Sequence, residues 1–173
     1  MESNLVTLSG IIEFEPINKT KKHEKQASWK RIAMVMMEGD VSEYYAWFLK
    51  RRFNLDILKP LRNSHISFIN DHIRDINNGE GAEEYRDELW NKLKEKWDGF
   101  KVDVVLDLNP RSDGKTWWFN IPEEHRKDLH GIRAEIGLQK PYYGLHMTIG
   151  NVHPKQEYHS DYILTLLKKG LAK

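Results

Sequence analysis

At 173 residues, the chain is long enough for one domain with a real core, and 27 basic against 26 acidic side chains leave a net charge of only +1. That balance gives no global attraction to long nucleic acid or an anionic membrane, and the absence of cysteine excludes disulfides and thiolate zinc sites. No apolar run approaches the roughly 18 to 20 residues of a membrane span, and the N-terminus lacks the pattern of a signal peptide, so a soluble cytoplasmic protein is the expectation.

In chain order, residues 4–14 read as a strand, with Gly10 as a possible site for a bulge. Residues 18–30 are polar and hold five of the basic side chains. Two readings stand for them: a solvated loop, or a basic lid over an anionic ligand. Residues 31–37 form a buried strand. Asp40 offers a helix N-cap with Glu43 three residues on, and the helix 41–53 has Tyr44, Tyr45, Phe48 and Leu49 as its apolar face. After Pro60 comes the strand Ser64-His65-Ile66-Ser67-Phe68-Ile69. A glycine-rich loop over 70–82 leads to the helix 83–97, where Tyr85, Leu89, Leu93 and Trp97 repeat every four residues.

Residues 100–108 alternate, with Phe100, Val102, Val104, Leu106 and Leu108 inward. A hairpin loop over 110–115 returns the chain into the strand 116–120. Pro122 opens a helix running to about Ile136, with Leu129, Ile132 and Ile136 inward and Gly137 as its C-cap. Beyond Pro141 lies a second motif strand, Leu145-His146-Met147-Thr148-Ile149-Gly150. A last helix, about 160–169, carries Ile163, Leu164 and Leu167 and ends at Gly170.

The two halves, about 1–98 and 99–173, therefore repeat one pattern of strand, strand, helix, His strand, helix. From Asp40 to His65 is 25 residues and from Pro122 to His146 is 24. The expectation is one α+β domain over 1–173, with two pseudo-symmetric β-β-α-β-α halves and the motif strands at equivalent central positions. Alternation along a strand puts His65 and Ser67 on one face, and likewise His146 and Thr148, with the apolar residues between them turned to the core. A pseudo-two-fold axis would then set two imidazoles and two hydroxyls around a central cleft. An imidazole can accept or donate a proton near pH 7, and phosphodiester cleavage needs both functions at once. The hydroxyls could donate to the non-bridging phosphate oxygens. This chemistry needs no metal and no cofactor.

The pair His65-Ile66-Ser67 and His146-Met147-Thr148 resembles the signature of the 2H phosphoesterase superfamily, and the resemblance spans nearly the whole chain. The segments His-Ile-Ser-Phe-Ile-Asn-Asp, Trp-Trp-Phe-Asn-Ile-Pro and Gly-Leu-His-Met-Thr-Ile-Gly are similar to a phage group labelled Swiss-army-knife RNA-repair-like, which includes anti-CBASS phosphodiesterases. The resemblance implies a bilobal fold and a metal-independent phosphodiesterase in the host bacterial cytoplasm. Its substrates would be the cyclic di- or trinucleotide signals of antiphage immunity, with His65, Ser67, His146 and Thr148 catalytic. Ser67 stands where the family usually has Thr, which keeps the hydroxyl.

Two other functions stay open: cleavage of RNA 2′,3′-cyclic phosphates, and sequestration of a cyclic nucleotide without cleavage. Trp117 and Trp118 straddle a strand, so one faces the core and the other could stack on a base. Tyr142, Tyr143 and Lys140 are further substrate-binding candidates beside the second motif. His72 reads as a surface residue. His153 and His159 lack the carboxylate spacing of a metal site with His146.

Overall fold

The computed structural model describes residues 4–17, 31–60, 62–70, 83–138, 141, 144–156 and 163–165. In order these form β1 (Leu5–Phe14), β2 (Ile32–Met37), α1 (Val41–Phe53), β3 (Ile57–Leu58), β4 (His65–Asn70), α2 (Glu83–Trp97), β5 (Lys101–Ser112), β6 (Thr116–Asn120), α3 (Lys127–Ala134) and β7 (His146–Val152). The α+β class is as expected. Of the loop expected over 70–82, Asn70 instead ends β4 and 71–82 lie outside the described residues, as does most of the helix expected at 160–169; 163–165 are helical, and Ile163 packs on the core.

Seven strands make one sheet in the order β3-β7-β6-β5-β1-β2-β4, antiparallel at every pairing. Apart from the two-residue β3, this order reads the same from either side of the β1–β5 pair. Outward on one side lie β2 and β4, joined by α1. Outward on the other lie β6 and β7, joined by a short 3-10 turn at Glu123–His125 and then α3. The strand connectivity thus follows the same β-β-α-β order on both sides of the β1–β5 pair, while most of the last helix expected in the second half lies outside the described residues.

One expectation changes. The motif strands β4 and β7 sit toward the two ends of the sheet rather than at its centre. Strand twist accumulates across the sheet and curls it, so that β4 and β7 come within 8 Å, Cα to Cα, without a hydrogen-bonded ladder between them.

The helices cover one face of the curl. Leu49 of α1, Trp90 and Leu93 of α2, and Leu129 and Ile132 of α3 share a core with Ile12, Val35, Ile66, Phe68, Leu106, Trp117, Phe119, Met147 and Ile149 from the strands. On α1, Asp40 accepts from the Glu43 N–H at 3.0 Å, but Glu43 turns to Lys59 Nζ at 2.8 Å, so only half of the expected capping box forms. The buried stripe is Ser42, Ala46 and Leu49. Tyr44, expected inside, is 57 % exposed and meets Trp47 at the surface, because it lies off that stripe.

On α2, Trp90 is buried beside Leu93, a position that the four-residue spacing passed over; the Tyr85 side chain lies outside the described residues. Phe100, also expected inside, is 52 % exposed and packs edge-on to Trp97, since it precedes β5 and escapes that strand's alternation. β5 runs on to Ser112, so the hairpin loop is tighter than expected. The Asp113 carboxylate closes it by accepting from the N–H groups of Lys115 (2.9 Å) and Thr116 (2.7 Å). Pro110 falls in a register shift between Asp107 and Arg111, an irregularity that tolerates a residue without an N–H. The helix expected from Pro122 divides at Arg126 into the 3-10 turn and α3, while Leu129, Ile132 and Ile136 are buried; the C-cap of α3 is Glu135, and Gly137, expected there, takes the left-handed conformation two residues on.

Gly10 is no bulge. It is paired in register with Met37 on one side and Val102 on the other, and a Cβ there would stand 2.6 Å from Val35 Cγ1 and 2.8 Å from the Met36 carbonyl oxygen. Register shifts lie instead at other pairings: between Ala33 and Met34 of β2, between Asp107 and Arg111 of β5, and between Trp117 and Trp118 of β6. Gly150, just past the second motif, has φ +156°, and a Cβ there would meet Ile57 Cγ2 and the Leu58 carbonyl oxygen, each at 2.5 Å. Backbone cannot swing aside as a side-chain tip can. Gly150→Ala is therefore expected to displace β3 and to lower stability by about 1–3 kcal/mol, read as a fall in the urea midpoint without a change in slope. An unchanged midpoint would show that β3 gives way freely.

Candidate active site

Burial follows the strand period in both motifs. In β4, Ile66 and Phe68 are buried, His65 is half-buried and Ser67 is exposed; in β7, Met147 and Ile149 are buried while His146 and Thr148 are half-buried. Both motifs thus turn their imidazole and hydroxyl to the face away from the helices, as alternation requires.

Each imidazole is held in the same way. His65 Nδ1 lies 2.8 Å from the Asn63 carbonyl oxygen, and His146 Nδ1 lies 3.0 Å from that of Gly144, in each case two residues upstream. A carbonyl can only accept, so Nδ1 carries the proton and donates it. Nε2 of the neutral ring is then left with its lone pair.

The two rings are close enough to influence each other's charge. Burial holds His65 below the usual imidazole range. The Asn63 carbonyl opposes this by favouring the imidazolium, while the Arg62 guanidinium and the His146 ring lower it further. Near neutral pH His65 is thereby poised as a proton acceptor.

Cross-strand partners complete this face. Trp118 lies opposite Thr148 and Asn120 opposite His146, so all four share a side of the β6–β7 pair. The Trp118 ring meets His146 edge-on with centroids 6.2 Å apart, and its indole N–H is tied to Asn120 Oδ1 at 3.0 Å. Across the gap, Met36 lies opposite His65 and Met34 opposite Ser67. Sequence reasoning had assigned Met34, Met36 and Asn120 no role beyond their strands; only the register places them here. It also passed over Arg62, whose Nη2 donates to the Pro16 carbonyl at 2.8 Å and whose charge reaches both His65 and Glu13.

The Trp117–Trp118 ambiguity is resolved against Trp117. It is fully buried and stacked on Phe53 with centroids 6.4 Å apart, so it packs the core and is not available to a substrate. Lys140, Tyr142 and Tyr143 lie outside the described residues, as do the basic stretch 18–30, His72 and His159. His153 lies beyond the end of β7, where its Nδ1 accepts from the Lys155 N–H at 3.3 Å. Among the described residues, no group of three His, Asp or Glu side chains converges as a metal-ligand set.

Two buried polar residues tie the halves together behind this face. Ser42, at the start of α1, contacts both motif segments: its N–H donates to Ser64 Oγ at 2.7 Å, and its hydroxyl donates to the Thr148 carbonyl at 2.9 Å. From α3, the buried Arg133 donates through Nη1 to the Phe68 carbonyl of β4 at 2.6 Å. Neither residue carries a motif that would draw attention in the sequence. Comparison with known proteins matches the chain to no family model, no curated protein and no solved structure.

Proposed function

We propose that the chain is a metal-independent phosphodiesterase of the 2H type that opens cyclic di- or trinucleotides, the second messengers of bacterial antiphage immunity. The observation that carries this reading is the pairing of two His-x-Ser/Thr strands from equivalent places in the sheet, each imidazole fixed through Nδ1 by the carbonyl two residues upstream. Two tautomerically fixed imidazoles side by side make an acid–base pair.

In the proposed reaction, His65 Nε2 takes a proton from the attacking water as its oxygen bonds to phosphorus. His146, entering protonated at Nε2, gives that proton to the ribose oxygen as the phosphorus–oxygen bond breaks. A linear product results, and the pair exchanges protons with solvent to begin again. Ser67 and Thr148 donate to the non-bridging oxygens, where charge grows in the transition state. Trp118 offers a ring beside His146 on which a base can stack. A near-neutral net charge suits a compact cyclic ligand held in a pocket better than long RNA, which needs an extended basic track.

The direct experiment is incubation with cyclic dinucleotides and trinucleotides in excess EDTA, followed by chromatography. Linear products support the reading. Ligand retained on the protein but unchanged would mean sequestration, and cleavage confined to RNA 2′,3′-cyclic phosphates would move the substrate to RNA ends.

The pH profile is a further expected result. The base must be neutral and the acid protonated, so the rate falls on both sides of an optimum. Since the environment of His65 disfavours its proton, the acidic limb of kcat/KM should lie below the ordinary imidazole value of about 6.5. The two limbs belong to the coupled pair. The bell should persist in EDTA; a rate that climbs to a plateau and vanishes on chelation would mean metal-hydroxide chemistry instead.

A further inference from the structure

The motif strands lie side by side without a ladder, so something other than sheet pairing must fix the separation of their imidazoles. Through the sheet, the path from β4 to β7 crosses β2, β1, β5 and β6. The short path runs through Ser42. This residue is 1 % exposed and belongs to neither motif. Its N–H meets the hydroxyl of Ser64, the fully buried residue immediately before His65, and Ser64 in turn donates to the Asp40 carboxylate at 3.0 Å. Its own hydroxyl reaches the backbone carbonyl of Thr148, two residues past His146.

A serine this early in a helix commonly bonds within its own turn. Here both polar groups leave the helix, one toward each half of the chain. We propose that Ser42 is a positioning residue that sets the spacing between the two imidazoles by clamping the first motif strand to the second. This rests on the phosphodiesterase reading of the same site. It assigns Ser42 no contact with substrate; it acts through His65 and His146.

Two substitutions separate positioning from packing. Ser42→Ala removes only the hydroxyl that reaches Thr148, while Ser42→Thr keeps it. The first readout is imidazole titration by NMR in the substrate-free protein. The shift in the His65 pKa caused by His146→Gln measures the coupling between the rings, while Arg62, which also faces His65, and Glu13, which faces Arg62, stay in place. That shift should be present in the Ser42 and Ser42→Thr backgrounds and reduced or lost in Ser42→Ala. The second readout is turnover of a cyclic dinucleotide: kcat should fall roughly 10- to 100-fold in Ser42→Ala with KM nearly unchanged, and Ser42→Thr should restore it.

Equal coupling in all three backgrounds, with each protein folded, overturns the proposal even if kcat falls. A wild-type protein that turns over no cyclic nucleotide refutes the phosphodiesterase reading, and the titration alone then decides whether Ser42 sets the spacing. If Ser42→Ala does not fold, Ser64→Ala cuts the same bridge at its other end and is judged by the same two readouts.

Discussion

His65→Ala and His146→Ala are each expected to abolish turnover of a cyclic dinucleotide while the protein stays folded. Removal of a general acid or base costs roughly 100- to 10,000-fold, and His65 and His146 sit on motif strands that approach within 8 Å, close enough for their charges to interact. The fold should survive because the core contacts of these strands come from Ile66, Phe68, Met147 and Ile149, while among the described residues each imidazole hydrogen-bonds to a carbonyl of its own segment. Thermal melts close to wild type, together with lost turnover, are the expected pair of measurements. Near-wild-type turnover in either variant would sink the two-histidine mechanism.

A second large effect is expected from the hydroxyls. Ser67→Ala and Thr148→Ala should each lower kcat by roughly tenfold or more and change KM little, because a donor aimed at developing phosphate charge is worth more in the transition state than in the ground state. Ser67→Thr should be nearly neutral, since Thr is the usual residue at this place in the 2H pattern that the motif resembles. Ser67 is exposed, so an added methyl meets solvent rather than the core. Steady-state kinetics on the three variants checks this. An unchanged kcat in Ser67→Ala would reduce that hydroxyl to a surface group.

Much of the fold was legible because local rules and tertiary demands agree along most of the chain. The alternation in β4 and β7, the N-cap at Asp40, the span of α2 and the buried residues around Leu129 all follow from side-chain period and capping. The misreadings have a common origin. Tyr44 and Phe100 were placed inside because they are large and apolar, yet exposure is decided by which side of a helix or strand end meets a neighbour. Gly10 suggested a bulge, but the space at Gly10 is claimed by a strand more than twenty residues away in the chain. The His-x-Ser/Thr pairs could be found by spacing alone. Ser42, Arg62, Met36 and Asn120 could not, because their roles come from register and from contacts across the sheet.

The palindromic strand order and the curl together give the molecule the mechanics of a nearly closed book, its two margins meeting at β4 and β7. The β1–β5 pair is the spine, and the reactive groups sit at the outer margins of the two pages. With strands about 4.8 Å apart, each margin stands about 12 Å from the spine, so flexing the spine by about 5° moves a margin by about 1 Å. A shift of that size in a reacting group can cost about a hundredfold in rate. If the proposed function holds, substitutions along β1 and β5, remote from either histidine, are expected to change turnover through this lever.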